Sequence, residues 1–216
     1  MHENDFFNED LLCALAGVAG EDNVLMSEPM REHTTFKIGG PADVFVTPDT
    51  EQGLVATLDT CYRCDLPLTI VGNGSDLLVG DKGIRGVVVA LGKGLSDITV
   101  EGTHVTAAAG ALLSDVAAAA AEACLTGMEP ISGIPGSVGG ACYMTPALRC
   151  CMADVLESVR VYKPARMLDD APAAAAISLS SMSTSSTWAI ARAALPTTAL
   201  SCSRQPSTSP RATRDD

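Results

Sequence analysis

The sequence predicts a mixed α+β fold as far as about Asp170, followed by a segment of different character. Short aliphatic runs, typical of buried strands, alternate with segments whose apolar residues recur at helical spacing. Glycine-rich turns follow several of these elements as far as Gly140, and the sequence contains no glycine after that residue. A chain of 216 residues is long enough to bury one core or two small ones.

The predicted elements alternate along the chain. Asp49 and Gln52 have the spacing of a capping box, which predicts that a helix begins there and continues to about Cys64. The alanine-rich helix predicted later in the chain can pack closely against a sheet. In chain order we expect a helix over 9–18, a strand over 42–47, the capped helix, strands over 66–71 and 86–91, a hairpin over 97–108, a helix over 112–123 and a strand over 155–162.

The charge of the chain argues against two classes of partner. The formal net charge is −12, whereas a nucleic-acid or anionic-membrane partner favours a basic face. The acidic start at Met1–Asp5 does not resemble a secretory signal, and no apolar run reaches membrane-spanning length. We therefore expect a cytoplasmic protein with no nucleic-acid and no membrane partner; its oligomeric state is left open.

The eight cysteines do not form a spaced framework. Cys61 and Cys64 form a CxxC pair, but a redox or metal interpretation needs a βαβ context or a second ligand pair. We therefore expect buried or free thiols and no metal site.

Two glycine-rich segments are the strongest functional signal. They are Val71–Val79 and Gly133–Ala141. Glycine permits positive φ and close approach of the backbone to a ligand, and consecutive N–H groups in such turns form concave anion sites. Two of them predict a dinucleotide pyrophosphate held from two sides.

Alternatives remain for several of these positions. Both segments also suit ordinary tight turns between strands. Ser75 and Ser137 are interpreted equally well as phosphate donors or as local caps. Tyr143 borders either a ligand or the core, and His33 is expected to be a surface residue without a catalytic role.

Several motifs, in order, resemble those of the UDP-N-acetylenolpyruvoylglucosamine reductases, also called UDP-N-acetylmuramate dehydrogenases. The resemblance covers about Thr34 to Met144 and then Met152 to about Asp170. It is carried by the opening motif Thr34–Asp43, the Gly72–Val79 loop, Gly110-Ala111, Gly127–Glu129 and the Gly133–Ala141 loop. Any one glycine loop alone is weak evidence, whereas the shared order is specific.

The resemblance implies an FAD-binding fold of the vanillyl-alcohol-oxidase (PCMH) type, with two small α/β subdomains around the cofactor. It also implies the FAD contacts, which are Gly72, Asn73, Gly74, Ser75, Asp76, Leu77, Gly110, Ile134, Pro135, Gly136, Ser137, Val138, Gly139 and Gly140. We expect an N-terminal helical segment at 1–30, a first FAD-binding subdomain at 31–92, and an incomplete second subdomain at 93–170. The implied reaction uses NADPH to reduce the flavin, which then reduces UDP-N-acetylglucosamine enolpyruvate, a UDP-sugar, in peptidoglycan precursor synthesis.

The chain departs from the family pattern in its second half. Thr145–Arg149 replaces a MNAGAYG-like continuation, and the family's Tyr-Arg-x-Ser motif, proton-donating serine and C-terminal glutamate have no counterpart in this sequence. The family's third, substrate-binding domain is expected to be missing. No catalytic residue is therefore assigned, and the sequence as it stands is expected to be inactive; the alternative is a non-catalytic FAD- or nucleotide-binding domain.

Residues 171–216 consist mostly of Ala, Ser, Thr, Arg and Pro. One interpretation is an irregular or disordered low-complexity tail. The other is a shifted reading frame in a GC-rich gene. Trp188 followed by Ala189 forces a glycine codon in the alternative frame, and the neighbouring residues permit Asp-x-Gly-Tyr-Arg there. Resequencing the gene decides between the two.

Asp76 departs from the family pattern, which has asparagine at that position, and the effect of this difference can be tested. Aspartate keeps an acceptor but loses the NH₂ donor and adds a negative charge close to the expected phosphates. Asp76→Asn is expected to bind FAD about five-fold more tightly, the scale of one net hydrogen bond. A flavin titration checks this, and unchanged affinity refutes it.

Overall fold

The fold is described from a computed structural model, which describes residues 9–144, 152, 155–162, 174–178 and 194–201. Helices and strands are interleaved, as the sequence predicts. The helices are α1 Glu9–Ala19, α2 Glu51–Arg63, α3 Leu113–Glu122 and α4 Val138–Met144. The strands are β1 Val24–Pro29, β2 Pro41–Val46, β3 Leu68–Val71, β4 Ile84–Ala90, β5 Ile98–Glu101, β6 His104–Ala107, β7 Leu156–Tyr162, β8 Ala174–Ser178 and β9 Ala194–Ser201.

The first sheet has the order β1-β2-β4-β3. Strands β2 and β3 both run parallel to β4, and β1 is antiparallel to β2. Helix α2 lies between β2 and β3 in the chain, as a parallel crossover requires. The carboxyl ends of β2, β3 and β4 therefore meet at one edge of the sheet.

The first sheet is buried on both faces, as is typical of parallel strands. Along β2, Val44 and Val46 pack with α1 and α2, whereas Phe45 faces a second cluster that contains Met30. Strand β4 alternates in the same way, with Val87 and Val89 on one side and Val88 on the other. The continuous apolar runs of these strands follow from this two-sided burial.

The second sheet has the order β5-β6-β9-β7-β8, and all its pairs are antiparallel. Buried residues of β6, α3 and α4 form one cluster, which includes Val105, Leu113 and Val138. The two halves meet where Tyr162, at the end of β7, is fully buried in the core cluster of the first half.

The structure differs from the sequence expectations at several element boundaries. Helix α2 is capped by Thr50, whose Oγ1 accepts the Gly53 N–H at 3.0 Å, so the expected cap at Asp49 is wrong. Asp49 instead accepts a hydrogen bond from Asn23 Nδ2 at 2.7 Å. Strand β1 lies within the range predicted as an N-terminal helical segment, because its pairing with β2 is non-local and leaves no periodicity of its own.

Strands β8 and β9 fall within the segment expected to be an irregular tail. The backbone of β9 pairs with both β6 and β7. The other residues of the 171–216 range lie outside the described residues, as do Thr145–Arg149 and Cys150-Cys151.

Two absences concern only the residues that the structure describes. None of their helices combines the length and apolar character of a membrane span. No group of three or more His, Cys, Asp or Glu side chains among them is placed to hold a metal ion.

The CxxC pair lies at the end of α2, with Cys61 buried and Cys64 exposed. Burial, followed by the proximity of Cys64, raises the pKa of the Cys61 thiol to about 12. The thiolate is the reactive form of cysteine, so Cys61 stays protonated and unreactive at neutral pH.

Differential alkylation tests this assignment of the CxxC pair. At neutral pH, iodoacetamide is expected to modify Cys64 and to leave Cys61 unmodified until the protein is unfolded. Peptide mapping by mass spectrometry distinguishes the two sites. Equal modification of both thiols in the folded protein contradicts the burial of Cys61.

The packing of α2 against the sheet can be tested at Leu58, which is 1% exposed. Leu58→Ala is expected to lower the free energy of unfolding by about 2–5 kcal/mol, because it leaves a cavity in the core. Urea unfolding measures the loss. Leu25→Ala in β1, where the side chain is 43% exposed, is the control and should cost much less.

Candidate cofactor-binding cleft

The first glycine loop begins where β3 ends. Residues 72–77 follow Val71 directly, at the edge where the parallel strands terminate. Ligands of open α/β sheets bind outside the carboxyl ends of the strands. A cavity of about 630 Å³ lies here, and both glycine loops line it. The structure thus brings together two segments that are about 60 residues apart in the sequence.

The two loops touch across this cavity. Asn73 Nδ2 donates to the carbonyl oxygen of Pro135 at 3.1 Å. A Cβ placed on Gly72 would lie 2.1 Å from Ser137 Oγ. Glycine at position 72 is therefore required by the close approach of Ser137.

Gly74 is required for a different reason. It has φ +60°, and a Cβ there would lie 2.0 Å from the carbonyl oxygen of His33. The same segment also contacts the loop through Thr35, whose N–H donates to the Gly74 carbonyl at 3.2 Å. Residues 33–35 thus contact the first glycine loop and support its backbone.

The backbone of the first loop is available to a ligand. None of the N–H groups of Asn73, Gly74, Ser75 and Asp76 donates a hydrogen bond to another described residue. Consecutive free N–H groups in a turn form a concave site for an anion such as a pyrophosphate. This part of the chain therefore fits the group that the sequence predicts.

More backbone groups of the second loop are hydrogen-bonded to other parts of the chain. Leu113 N–H donates to Gly136 O at 2.9 Å, and the N–H groups of Val138 and Gly139 donate to Ala111 and Ala109 at 2.8 Å each. Val138 is fully buried, and α4 starts there, so Gly139 and Gly140 are helical rather than in a turn. Among the predicted contacts, Val138 lines none of the cavities described in this section.

Ser137 has the geometry of a local cap. It is 3% exposed, and its Oγ accepts the Gly140 N–H at 3.3 Å. Ser75, by contrast, is partly exposed and lines the cavity. The structure favours the capping interpretation for Ser137 alone.

A second cavity, of about 680 Å³, adjoins the first and shares Val71, Gly72 and Asn73 with it. Gly110 lines this second cavity, and a Cβ there would lie 2.7 Å from the Leu95 carbonyl oxygen. Gly139 lines a third cavity, of about 550 Å³, together with Tyr62 and Tyr143. The expected contacts are thus distributed over three connected spaces.

The charges of the two larger cavities differ. Asp76 is the single charged side chain among the described residues that line the first one. The second one has Lys37 and Lys93 as well as Glu32 and Asp115. No motif in the sequence indicated Lys93, which lines the cavity from the turn after β4.

The ring of His33 packs against neighbouring side chains. Its ring stacks on Phe45 with the centroids 4.1 Å apart, and its Nε2 lies 2.8 Å from Glu28 Oε1. Because β1 brings Glu28 beside it, this arrangement depends on the strand that the sequence did not reveal. The side chain of His33 nevertheless remains 30% exposed, so its expected surface position is not contradicted.

Glu129 has a structural role in its loop. Its carboxylate accepts hydrogen bonds from Thr126 Oγ1 at 2.6 Å and from the Gly127 N–H at 2.7 Å. These bonds, that of Thr126 first, lower the pKa of Glu129. The hydrogen bonds of Glu129 within its own loop are enough to explain its ionised carboxylate, without a bound ligand.

Comparisons with known proteins agree with this geometry. The FAD binding domain family matches residues 42–165. A UDP-N-acetylenolpyruvoylglucosamine reductase from Agathobacter rectalis is 53% identical over 133 residues, covering 56% of this chain and 42% of the relative. The Clostridium perfringens reductase is 49% identical over 142 residues, covering 65% of this chain and 46% of the relative.

Solved structures show the same fold. The reductase of Thermus caldophilus superposes with a TM-score of 0.62 at 28% identity, over 85% of this chain and 62% of that one. p-Cresol methylhydroxylase superposes with a TM-score of 0.64 at 14% identity, over 96% of this chain and 45% of that one, which shows the fold alone. The expected FAD-binding fold of the vanillyl-alcohol-oxidase type is confirmed.

The chain spans about half the length of the curated relatives that it matches. The family match over residues 42–165 contains both glycine loops. This chain belongs to the FAD binding domain family, and in that region it resembles the UDP-N-acetylenolpyruvoylglucosamine reductases.

Proposed function

We propose that the cleft between the two glycine loops binds FAD through its pyrophosphate. The observation that carries the proposal is the first loop itself: four successive N–H groups, at Asn73 to Asp76, have no described partner and line a cavity that the second loop closes. The hydrogen bond from Asn73 to Pro135 joins the two loops. Together they suit a ligand with two adjoining phosphates.

The neighbouring spaces suit an elongated dinucleotide. The two larger cavities meet at Val71, Gly72 and Asn73, so a ligand whose pyrophosphate lies at this junction has room on both sides. On one side Lys37 and Lys93 are matched by Glu32 and Asp115, and on the other side Asp76 has no opposite charge beside it among the described residues. The free N–H groups, rather than net side-chain charge, are therefore what favours phosphate here. The predicted contacts, from Gly72 to Leu77, Gly110, and from Ile134 to Gly140, remain a proposal on this basis.

We further propose the reaction of the relatives for the protein to which these residues correspond. That reaction is the NADPH-driven reduction of UDP-N-acetylglucosamine enolpyruvate to UDP-N-acetylmuramate, in the cytoplasm. Bound FAD would supply the hydride chemistry, and this chain's residues would bind and orient it. Support comes from the names of relatives at 42–53% identity.

The chain as it stands is proposed to bind FAD without turnover, because no Tyr-Arg-x-Ser motif occurs in the sequence. A non-catalytic FAD-binding domain is the second candidate, and the same observation favours it. The sequence of the gene distinguishes the enzyme from the binding domain, since a reading frame that restores the Tyr-Arg-x-Ser motif supports an enzyme. An uninterrupted single frame supports the binding domain.

The visible spectrum of the purified protein tests the binding proposal. A yellow protein with the absorption bands of oxidised flavin, or one that acquires them on dialysis against FAD, is the expected result. Adding NADPH and the enolpyruvyl substrate should then produce no sustained NADPH oxidation. A protein that takes up no FAD overturns the proposal, and steady turnover overturns the expected inactivity.

The junction of the loops can be tested at Gly72. Gly72→Ala is expected to weaken FAD binding at least about ten-fold, or about 1.4 kcal/mol, because the new Cβ would displace Ser137. The dissociation constant is measured by quenching of flavin fluorescence. Gly80→Ala is the matched control, since nothing lies within 4 Å of its added Cβ.

A second substitution distinguishes the steric cause from a general defect. Ser137→Ala removes the Oγ that a Cβ at position 72 would meet. The double variant with Gly72→Ala should therefore regain part of the lost affinity. A double variant that is no better than Gly72→Ala alone contradicts the close approach of these residues.

A further inference from the structure

The two loops of the cleft are supported by different halves of the molecule. The first loop continues β3 of the first sheet, whereas the second is bound through Gly136 and Val138 to the segment that begins α3. Among the described side chains, Asn73 makes the one hydrogen bond that joins the two loops directly. The separation of the loops therefore depends on how the two halves are fastened to each other elsewhere.

Strand β7 provides such a fastening. Arg160 and Tyr162 lie two residues apart on the strand, so they share one face of it. Arg160 forms an ion pair with Glu51 at the start of α2, and the Tyr162 hydroxyl donates to Asp59 further along the same helix. A strand of the second sheet is thus attached to the helix that leads into β3.

Tyr162 is the more enclosed of these two side chains. It is fully buried and packs in the cluster that contains Leu54, Leu58 and Cys61 of α2. Burial, followed by its hydrogen bond to Asp59, raises the pKa of the Tyr162 hydroxyl. The hydroxyl therefore stays protonated, and it remains a donor over the working pH range.

The cluster around Tyr162 reaches both loops. It contains Ala109, whose carbonyl oxygen accepts the Gly139 N–H at 2.8 Å. If Gly139 carried a Cβ, that atom would lie 3.0 Å from the Cβ of Ala109. On the other side, Leu66 N–H donates to Cys61 O at 3.0 Å, where α2 turns toward β3 and the first loop. A shift of Tyr162 is consequently transmitted to the supports of both loops.

We infer that Tyr162 is a positioning residue for the cleft, which holds the two glycine loops at their separation through its hydrogen bond to Asp59 and its packing against α2. The identity of the ligand in this inference rests on the proposed function. The separation of the two loops is a property of the protein without ligand. The ligand class is a dinucleotide that must contact both loops at once.

Tyr162→Phe is the direct test, because it removes the hydroxyl and keeps the ring in the core. Thr57→Val is the matched control: it also removes a buried hydroxyl at α2, but that hydroxyl bonds to Gly53 O at 2.7 Å within the helix. Hydrogen exchange is measured in the protein without FAD at the amides that hydrogen-bond to the two loops or to their supports, namely those of Thr35, Leu66, Leu113, Val138 and Gly139. Exchange at these amides should rise about five-fold in Tyr162→Phe and stay unchanged in Thr57→Val.

Substitutions at Asp59 keep the test decisive if Tyr162→Phe does not fold. Asp59→Ala removes the acceptor and should reproduce the faster exchange, whereas Asp59→Asn retains an oxygen acceptor and should leave most of the protection. FAD titration then shows whether affinity falls in the same order. Equal exchange at the same amides in Asp59→Ala, Asp59→Asn and the wild type overturns the positioning role.

The two proposals fail in different ways. If the wild type takes up no FAD but the exchange pattern holds, the positioning inference stands and the FAD proposal fails. If FAD binds to all variants with the wild-type dissociation constant, Tyr162 has only a structural role in the core.

Discussion

The parallel pairing of β2, β4 and β3 is the constraint on which the rest of the structure depends. Parallel neighbours end at the same edge of a sheet, so the turns after Val46, Val71 and Ala90 are brought together there. The connection through α2 is the long crossover that parallel pairing requires. Once that edge is formed, the backbone that leaves β3 at Gly72 has a cavity beside it and no strand to pair with.

A parallel edge alone does not make a dinucleotide site, because a second wall is needed. The second wall comes from the loop before α4, which is bonded to the start of α3 rather than to the first sheet. The two walls approach so closely at Gly72 and Ser137 that a single methyl group would not fit. Small residues at this junction are thus a consequence of tertiary contact as much as of ligand binding.

Much of the fold was accessible from the sequence. Apolar runs identified β3 and β4, alternation identified β2, helical periodicity identified α1 and α2, and alanine content identified α3, because these signals depend on local composition and spacing. The sequence did not reveal β1, since its exposed and half-buried residues show no strict alternation and its strand state depends on pairing with β2. It also misplaced the cap of α2 by one residue, where Asp49 and Thr50 are both acceptable caps.

The candidate site divides in the same way. The sequence by itself determined the glycine loops and their order, because a position that needs positive φ or tolerates no Cβ restricts the residue type strongly. Only the tertiary structure decided that Asn73 meets Pro135, that Ser137 acts as a cap, and that Tyr162 is buried against α2. These contacts join residues between 3 and 103 positions apart, and the longer ones arise from the docking of two sheets, which leaves no periodicity in the chain.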